Sequence, residues 1–579
     1  MLLRRTTTAT SAAAAAVFSR LTITIFHHFP FSTTTSNLPK PFSKIPWKYR
    51  FKAIQEAQKA LTDYLHITRS LPFLYAEHIA INSPHSLWKI VSTIPFSAST
   101  FEYSFQRFLR YHPINELEFF LESIGLDENG VPRSLLPPNS IYLSDWKCFN
   151  VVCALAGMGF PWSKLGLLGR EDSSIFEIDQ FELQRKIKEI KDDYGFNSVH
   201  LIGICLVFPQ VLYSDMDGLL SDLKILILDY DLSSSLDCNV DAIFELCEKI
   251  RMFYDLGCEM GKLGELMGRS KSIFVEYSKR ALISKIEYFC KLNVAKDQIG
   301  LFLLSSPEVF DYNLEDRVIS VSGILEHFGL AKNEVKSLKE KYPHVFGRNR
   351  IANLPHVMRS MDLGEWFFER VKNGNHPLLE TYSISSTEEL NKHYDEYLRK
   401  IRAKRTYSHS MKKLNFLHGI GFGENQFAVK ALGLLNGSSD QLQQRFDCLL
   451  HFGIEYSKLC AMLRLSAKIL NQQEGILEKK LEFLCTDIGS PLDYLDVFPG
   501  YLCYDLEKRI KPRYKFHKWL VEQGFSGKNY SLSTIIASSE KTFVARISRI
   551  HPAAVKKWQE YWASFQDNSA PQTQFSLDY

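Results

Sequence analysis

Leu325-Glu326-His327-Phe328-Gly329-Leu330 is followed, 14 residues after its glycine, by Pro343-His344-Val345-Phe346. The same interval separates Gly195 from Pro209-Gln210-Val211-Leu212 and Asn293 from Pro307-Glu308-Val309-Phe310. Such a period marks a repeat protein. The first half of the phrase reads as a helix ending. If the Gly or Asn is the left-handed residue just past a helix, the apolar residue four before it and the one after it touch in the Schellman arrangement. The frame fits Leu121 and Leu126 around Gly125, Leu155 and Phe160 around Gly159, and Phe253 and Cys258 around Gly257. It returns around Asn293, Gly421, Gly453 and Gly524, with a looser version at Gly489. A second helix of two or three turns, such as 199–207, fits before the proline, which ends it or opens the next turn. One such unit cannot bury its apolar face alone, so stacking must supply the core.

Several neighbouring closures lie 34 to 36 residues apart, and no Pro/Ser/Gly linker divides the 579 residues. The expected fold is therefore all-α, a continuous solenoid of helical repeats. The chain divides into a leader at 1–50, a helical lead-in at 51–110, repeats at 111–362, a basic helical insertion without a clear repeat at 363–413, further repeats at 414–560 and a disordered tail at 561–579. With 45% hydrophobic residues the chain is not disordered in bulk, and its longest apolar runs are too short to cross a bilayer.

Between Met1 and Arg50 there is no Asp or Glu, while Arg4, Arg5, Arg20, Lys40, Lys44, Lys48 and Arg50 stand among many Ser, Thr and Ala. That is the composition of an organellar transit peptide. Early arginines before an apolar, basic stretch lean to mitochondria and the matrix, with the chloroplast as the alternative. Without the leader the chain is close to neutral, so the distribution of charge matters more than its sum. Residues 171–260 hold 19 acidic against 7 basic side chains, whereas 341–579 sum to about +8. An electrostatic footprint for phosphate belongs in the C-terminal half. Three basic clusters stand there: Arg399, Lys400, Arg402, Lys404, Arg405, Lys412 and Lys413; the string from Lys508 to Lys515; and Lys541, Arg546, Arg549, His551, Lys556 and Lys557.

The string Leu506-Glu507-Lys508-Arg509-Ile510-Lys511-Pro512-Arg513, followed by the closure Trp519-Leu520-Val521-Glu522-Gln523-Gly524-Phe525, resembles the mitochondrial transcription termination factor (mTERF) family of plant organelles. The resemblance runs from about Leu117 to Phe525 and rests also on the closures and the Pro-x-Val phrases. It implies a superhelical array of modules, each two α-helices and a short 3-10 turn, whose basic concave surface binds nucleic acid. This chain departs from the pattern where the proline is missing after Gly159, Gly257, Gly421 and Gly453, and where the acidic block interrupts an evenly basic surface.

Catalysis finds little support. The eleven cysteines include no Cys-x-x-Cys and read as buried free thiols rather than a zinc site. Gly419-Ile420-Gly421-Phe422-Gly423 follows no strand and is misspaced for a dinucleotide loop, so it reads as a helix closure with an extra glycine. His344, His451 and His517 have no partner at ligand spacing and read as surface or capping residues. The expected protein is a non-enzymatic, monomeric nucleic-acid binder that needs no cofactor or metal and regulates mitochondrial gene expression through transcription termination or transcript maturation. Double-stranded DNA and RNA are both open as targets, with other organellar gene-expression proteins as further partners. Lys508, Arg509, Lys511, Arg513 and Lys515 are the expected phosphate contacts, with Arg348 and Arg350, which extend from a module end, as additional ones. The alternatives are a protein-binding scaffold or an RNA splicing factor of the chloroplast.

Overall fold

The computed structural model describes residues 45–126, 141–143, 147–235, 239–314, 318–350, 354–381, 383, 391–525 and 530–566. The leader lies outside them up to residue 44, as does the tail from 567. The described chain is helical almost throughout. Its strands, Val318–Ser320 and Arg348–Arg350, form one short antiparallel ladder in which Ile319 faces Asn349. Two compact units are present: residues 1–191 with 204–215, and residues 192–203 with 216–579.

In the first unit the helices Trp47–Asp63, Phe73–Asn82, Pro84–Thr93, Phe101–Tyr111 and Glu116–Ser123 precede the first closure. There Gly125 has φ +91°, and Leu126 donates its amide to the Leu121 carbonyl at 3.0 Å, the bond that defines the Schellman ending. The following module docks closely on this turn. The Gly166 amide reaches the Ile124 carbonyl at 2.7 Å, and a Cβ at Gly166 would sit 2.6 Å from that oxygen. Trp162 packs in the same place, its indole N–H on Ser123 Oγ and its ring stacked against Tyr75 and His78.

The second unit repeats the device. Gly257, Gly329, Gly421, Gly453 and Gly524 all have positive φ, and Leu330, Phe422 and Phe525 donate to Leu325, Leu417 and Leu520 at 2.9 to 3.0 Å. Helices end within two residues of Gly195, Gly257, Gly329, Gly453 and Gly524. At Asn293 the helix ends three residues earlier, at Cys290, because that turn closes with tighter bonds from Leu292 to Phe289 and from Asn293 to Cys290. Two closures do not show in the Gly/Asn pattern. Asp231 at φ +50° and Asp362 at φ +57° occupy the left-handed position, and Leu363 completes the Schellman bond to Met358 at 2.9 Å. Asp362 corrects the insertion boundary: Gly364–Asn373 is the second helix of a module, so the irregular segment starts later than 363. The tail is corrected too, since the helix Ala554–Gln566 continues past 561, with Tyr561 and Trp562 packed on the small core around Phe516 and Trp558.

The short turn that ends a module forms with or without proline. Pro209–Leu212, Pro307–Asp311 and Pro499–Cys503 are 3-10 turns, and so are Ser173–Glu177 and Ala467–Asn471. Proline presets φ for such a turn but is not needed once packing holds it. Valine in place of Gly329 should cost more than about 1 kcal/mol, because φ +100° disfavours a β-branched side chain while the nearest neighbour of a new Cβ, Arg370 Nη1, lies 3.6 Å off. Hydrogen exchange of the Val321–His327 amides measures that cost, and unchanged protection would contradict it.

Candidate nucleic-acid interface

Where a module's last turn ends, its carbonyls have no amide ahead of them. In five modules a cation from the first helix supplies the donor. Lys249 Nζ bonds the Phe274 carbonyl at 2.9 Å, Lys413 Nζ that of Leu435 at 3.0 Å, Arg445 Nη1 that of Leu470 at 2.8 Å and Lys480 Nζ that of Leu502 at 2.9 Å; Lys285 does the same at Tyr312. Lys249, Lys285, Lys413 and Arg445 each stand eight residues before a closure. Lys480 stands nine before Gly489, because the wide turn Phe483–Asp487 adds a residue between them. Lys480 is fully buried, and burial holds its ammonium below the usual lysine pKa. These cations are part of the fold.

The basic string follows the same logic and corrects the expectation for two of its residues. Arg513 is 3% exposed. Its guanidinium donates to the carbonyls of Ile535, Ile536 and Ser538 at 3.2, 3.3 and 2.6 Å, pairs with Glu540 at 2.5 Å and lies over the Phe543 ring. Arg509 donates to Ile536 at 2.9 Å and Ser538 at 2.8 Å and stacks on Tyr504. Both therefore cap the C-terminal end of the helix Leu532–Ala537. Both guanidiniums serve the fold there, because a six-residue helix has more carbonyls without partners than it can satisfy itself.

Lys511 is paired with Glu507 and lies over Phe483. Arg348 bonds Glu424 at 3.0 Å and faces Asp395 at 3.6 Å, so two carboxylates offset its charge. Arg350 ends the strand Arg348–Arg350, and its side chain lies outside the described residues. Lys508 and Lys515 are exposed and make no ion pair among the described residues.

The first basic cluster behaves differently from the string. Arg399, Lys400, Arg402, Lys404, Arg405 and Lys412 are all exposed, and none makes an ion pair among the described residues. Asp395, four residues before Arg399, faces Arg348 instead. Only Lys413 of this cluster is buried. In the third cluster Lys541, Arg549 and Lys556 are exposed and make no ion pair among the described residues, whereas Arg546 caps Thr534 at 2.8 Å and Lys557 pairs with Glu560. The signal that separates the clusters is local: from Tyr397 to Gly423 the sequence contains no Asp or Glu, while the string at 508–515 follows Asp505 and Glu507.

Acidic residues divide in the same way. Asp222 is buried and accepts from the Gly261 and Gly264 amides and from Tyr254 Oη, so part of the acidic block at 171–260 is structural. Two expectations for histidine are corrected, since His344 and His517 are buried rather than superficial. His344 packs on Phe422, and burial beside Arg464 lowers its pKa to about 4, so it is neutral at physiological pH. The described cysteines are free thiols, Cys205 and Cys460 among the most buried. Gly421 takes φ +101°, and a Cβ at Gly423 would meet the Val345 carbonyl at 2.2 Å, so the Gly-rich stretch serves module contact. Among the described residues no three His, Cys, Asp or Glu side chains converge as a metal site, and no helix is long and apolar enough to cross a membrane.

The mTERF family model matches residues 231–364 and 401–544. The mitochondrial transcription termination factor MTEF18 of Arabidopsis thaliana is 46% identical over 528 residues, which cover 90% of this chain and 94% of that protein. The chain belongs to the mTERF family. Two more distant Arabidopsis thaliana relatives are similar over shorter stretches: the chloroplastic transcription termination factor MTERF8, 24% identical over 45% of this chain and 48% of its own length, and the mitochondrial factor MTERF15, 21% identical over 45% of each. The mTERF matches leave out 365–400, the stretch that holds Arg399 and Lys400.

Proposed function

We propose that this mTERF-family chain is a non-enzymatic nucleic-acid-binding factor of mitochondrial gene expression, acting on transcription termination or transcript maturation. One observation carries the reading: in a helical-repeat unit where many cations are locked into the fold, Lys508, Lys515, Arg399, Lys400, Arg402, Lys404, Arg405 and Lys412 remain exposed without an acidic partner among the described residues. Unpaired Lys and Arg are what phosphate contacts require, since each replaces condensed counterions on the strand. Similarity to MTEF18, named as mitochondrial and as a transcription termination factor, favours that compartment and that process. The leader composition agrees with import.

Crosslinking in isolated mitochondria, followed by sequencing of the nucleic acid bound to this chain, tests the reading. Defined mitochondrial transcripts or DNA segments should be enriched well above a mock capture, and the balance between them distinguishes termination from maturation. Recovery of proteins without nucleic acid would overturn it in favour of a protein-binding scaffold.

A further inference from the structure

The turn between the helices Lys392–Arg402 and Tyr407–Gly419 combines three features that occur together nowhere else among the described residues. Five cations within seven residues, Arg399, Lys400, Arg402, Lys404 and Arg405, are exposed and make no ion pair among the described residues. Tyr407, at the first position of the next helix, is 51% exposed, and its side chain makes no ring contact or hydrogen bond among the described residues. Most other tyrosines in this unit are committed: Tyr394 to His418, Tyr456 to His356 and Tyr501 to the Lys480 carbonyl. Finally, Thr406 gives the 13-residue helix from Tyr407 no side-chain cap, and an uncapped N-terminus favours an anion.

A helix dipole accounts for some of this charge. Arg399, Lys400 and Arg402 lie in the last turn of their helix, where cations are favourable. That account stops at Arg402. Lys404 and Arg405 lie beyond the helix, close to the positive end of the next one, where the dipole opposes them. Among the described residues no ion pair offsets their charge, and no Asp or Glu occurs from Tyr397 to Gly423. The cost falls if an anion occupies the turn.

We infer that this turn is a binding site for single-stranded nucleic acid, in which Arg399, Lys400, Arg402, Lys404 and Arg405 contact consecutive phosphates and Tyr407 stacks on an unpaired base. The inference rests on the nucleic-acid reading above and adds the strand type and the place. Cations tracking a backbone beside an aromatic platform are the chemistry of single-strand binding, because every base has a face to stack while a paired base does not expose it. Arg399 and Lys400 lie in the stretch that the family match leaves out, whereas Arg402, Lys404, Arg405 and Tyr407 lie inside the match.

The test uses the full chain with three probes of one mixed sequence: single-stranded RNA, single-stranded DNA and the DNA duplex. Binding is measured by fluorescence anisotropy over a range of salt. Changing Lys400, Arg402, Lys404 and Arg405 together to Gln should make the log–log salt slope for the single strands shallower by about two to three units, at roughly 0.7 per phosphate. Should that variant misfold by circular dichroism, Arg405→Gln alone should remove roughly 0.7. Tyr407→Ala should weaken single-strand binding about tenfold and Tyr407→Phe should keep it, with little change for the duplex in either. The two single-strand arms report whether RNA or DNA is preferred. An unchanged slope in a folded variant of a chain that does bind overturns this site alone. Equal loss on the duplex in Tyr407→Ala overturns the single-strand assignment. A wild-type chain that binds no probe overturns both this site and the reading it rests on.

Discussion

Replacing Arg513 by Gln should destabilise the C-terminal helices by about 3 kcal/mol, because it strips a charged donor from buried carbonyls. The loss should be local. Arg513 donates to the Ile535 carbonyl, which Ser538 Oγ also reaches at 3.2 Å, and holds Ser538 and Glu540, so the helices Leu532–Ala537 and Glu540–Ile550 lose a polar tie to Lys511–Glu522. Arg509 still reaches Ile536 and Ser538, which limits the damage. Arg513→Lys should rescue only part of it, since an ammonium on a single stem cannot span three carbonyls as a planar fork does. Exchange of the Phe543 and Ile547 amides is the measurement. Protection equal to that of Lys508→Gln, an exposed change expected to cost under about 0.5 kcal/mol, would show that Arg513 is free to serve a ligand.

Gly364→Ala should be comparably damaging, by about 3 kcal/mol, for a different physical reason. A Cβ there would stand 2.2 Å from the Leu292 carbonyl oxygen, a backbone atom that cannot rotate away. Glycine holds no propensity advantage over alanine in the first turn of the helix Gly364–Asn373, so a net loss reports the module contact itself. Urea unfolding of the full chain, followed by hydrogen exchange of the Gly364–Asn373 amides, should show the midpoint falling. A midpoint that rises would mean that the two modules do not approach as closely as the geometry has them.

Much of the fold is legible in the sequence because a Schellman ending needs apolar residues at fixed places around one left-handed residue, and glycine is the cheapest residue there. Leu325, Gly329 and Leu330 state that directly. Asp231 and Asp362 are hidden because aspartate tolerates the left-handed conformation without advertising it. The turns at Ser173 and Ala467 are hidden for a related reason: packing, not proline, sets them.

The interface was harder to read. A lysine or arginine in sequence gives no sign of whether its head group meets solvent or the carbonyl end of a turn far along the chain. Lys508, Arg509, Lys511 and Arg513 look alike as a string, yet Lys508 is exposed, Lys511 is paired with Glu507, and both arginines cap Leu532–Ala537. The regularity that could have separated some structural cations is their place eight residues before a closure, as in Lys249, Lys285, Lys413 and Arg445. It fails for Arg513, which stands eleven before Gly524 and reaches its acceptors from one turn earlier on the helix. Charge counts overstate a binding surface wherever cations double as caps.

The most direct test of the account is the salt dependence of nucleic-acid binding by the unmodified chain. If exposed, unpaired cations of the second unit meet phosphates, log affinity should fall linearly with log salt concentration with a slope of about −3 or steeper, as roughly four or five neutralised phosphates require. A slope near zero, or no binding to RNA or DNA at moderate salt, would contradict it.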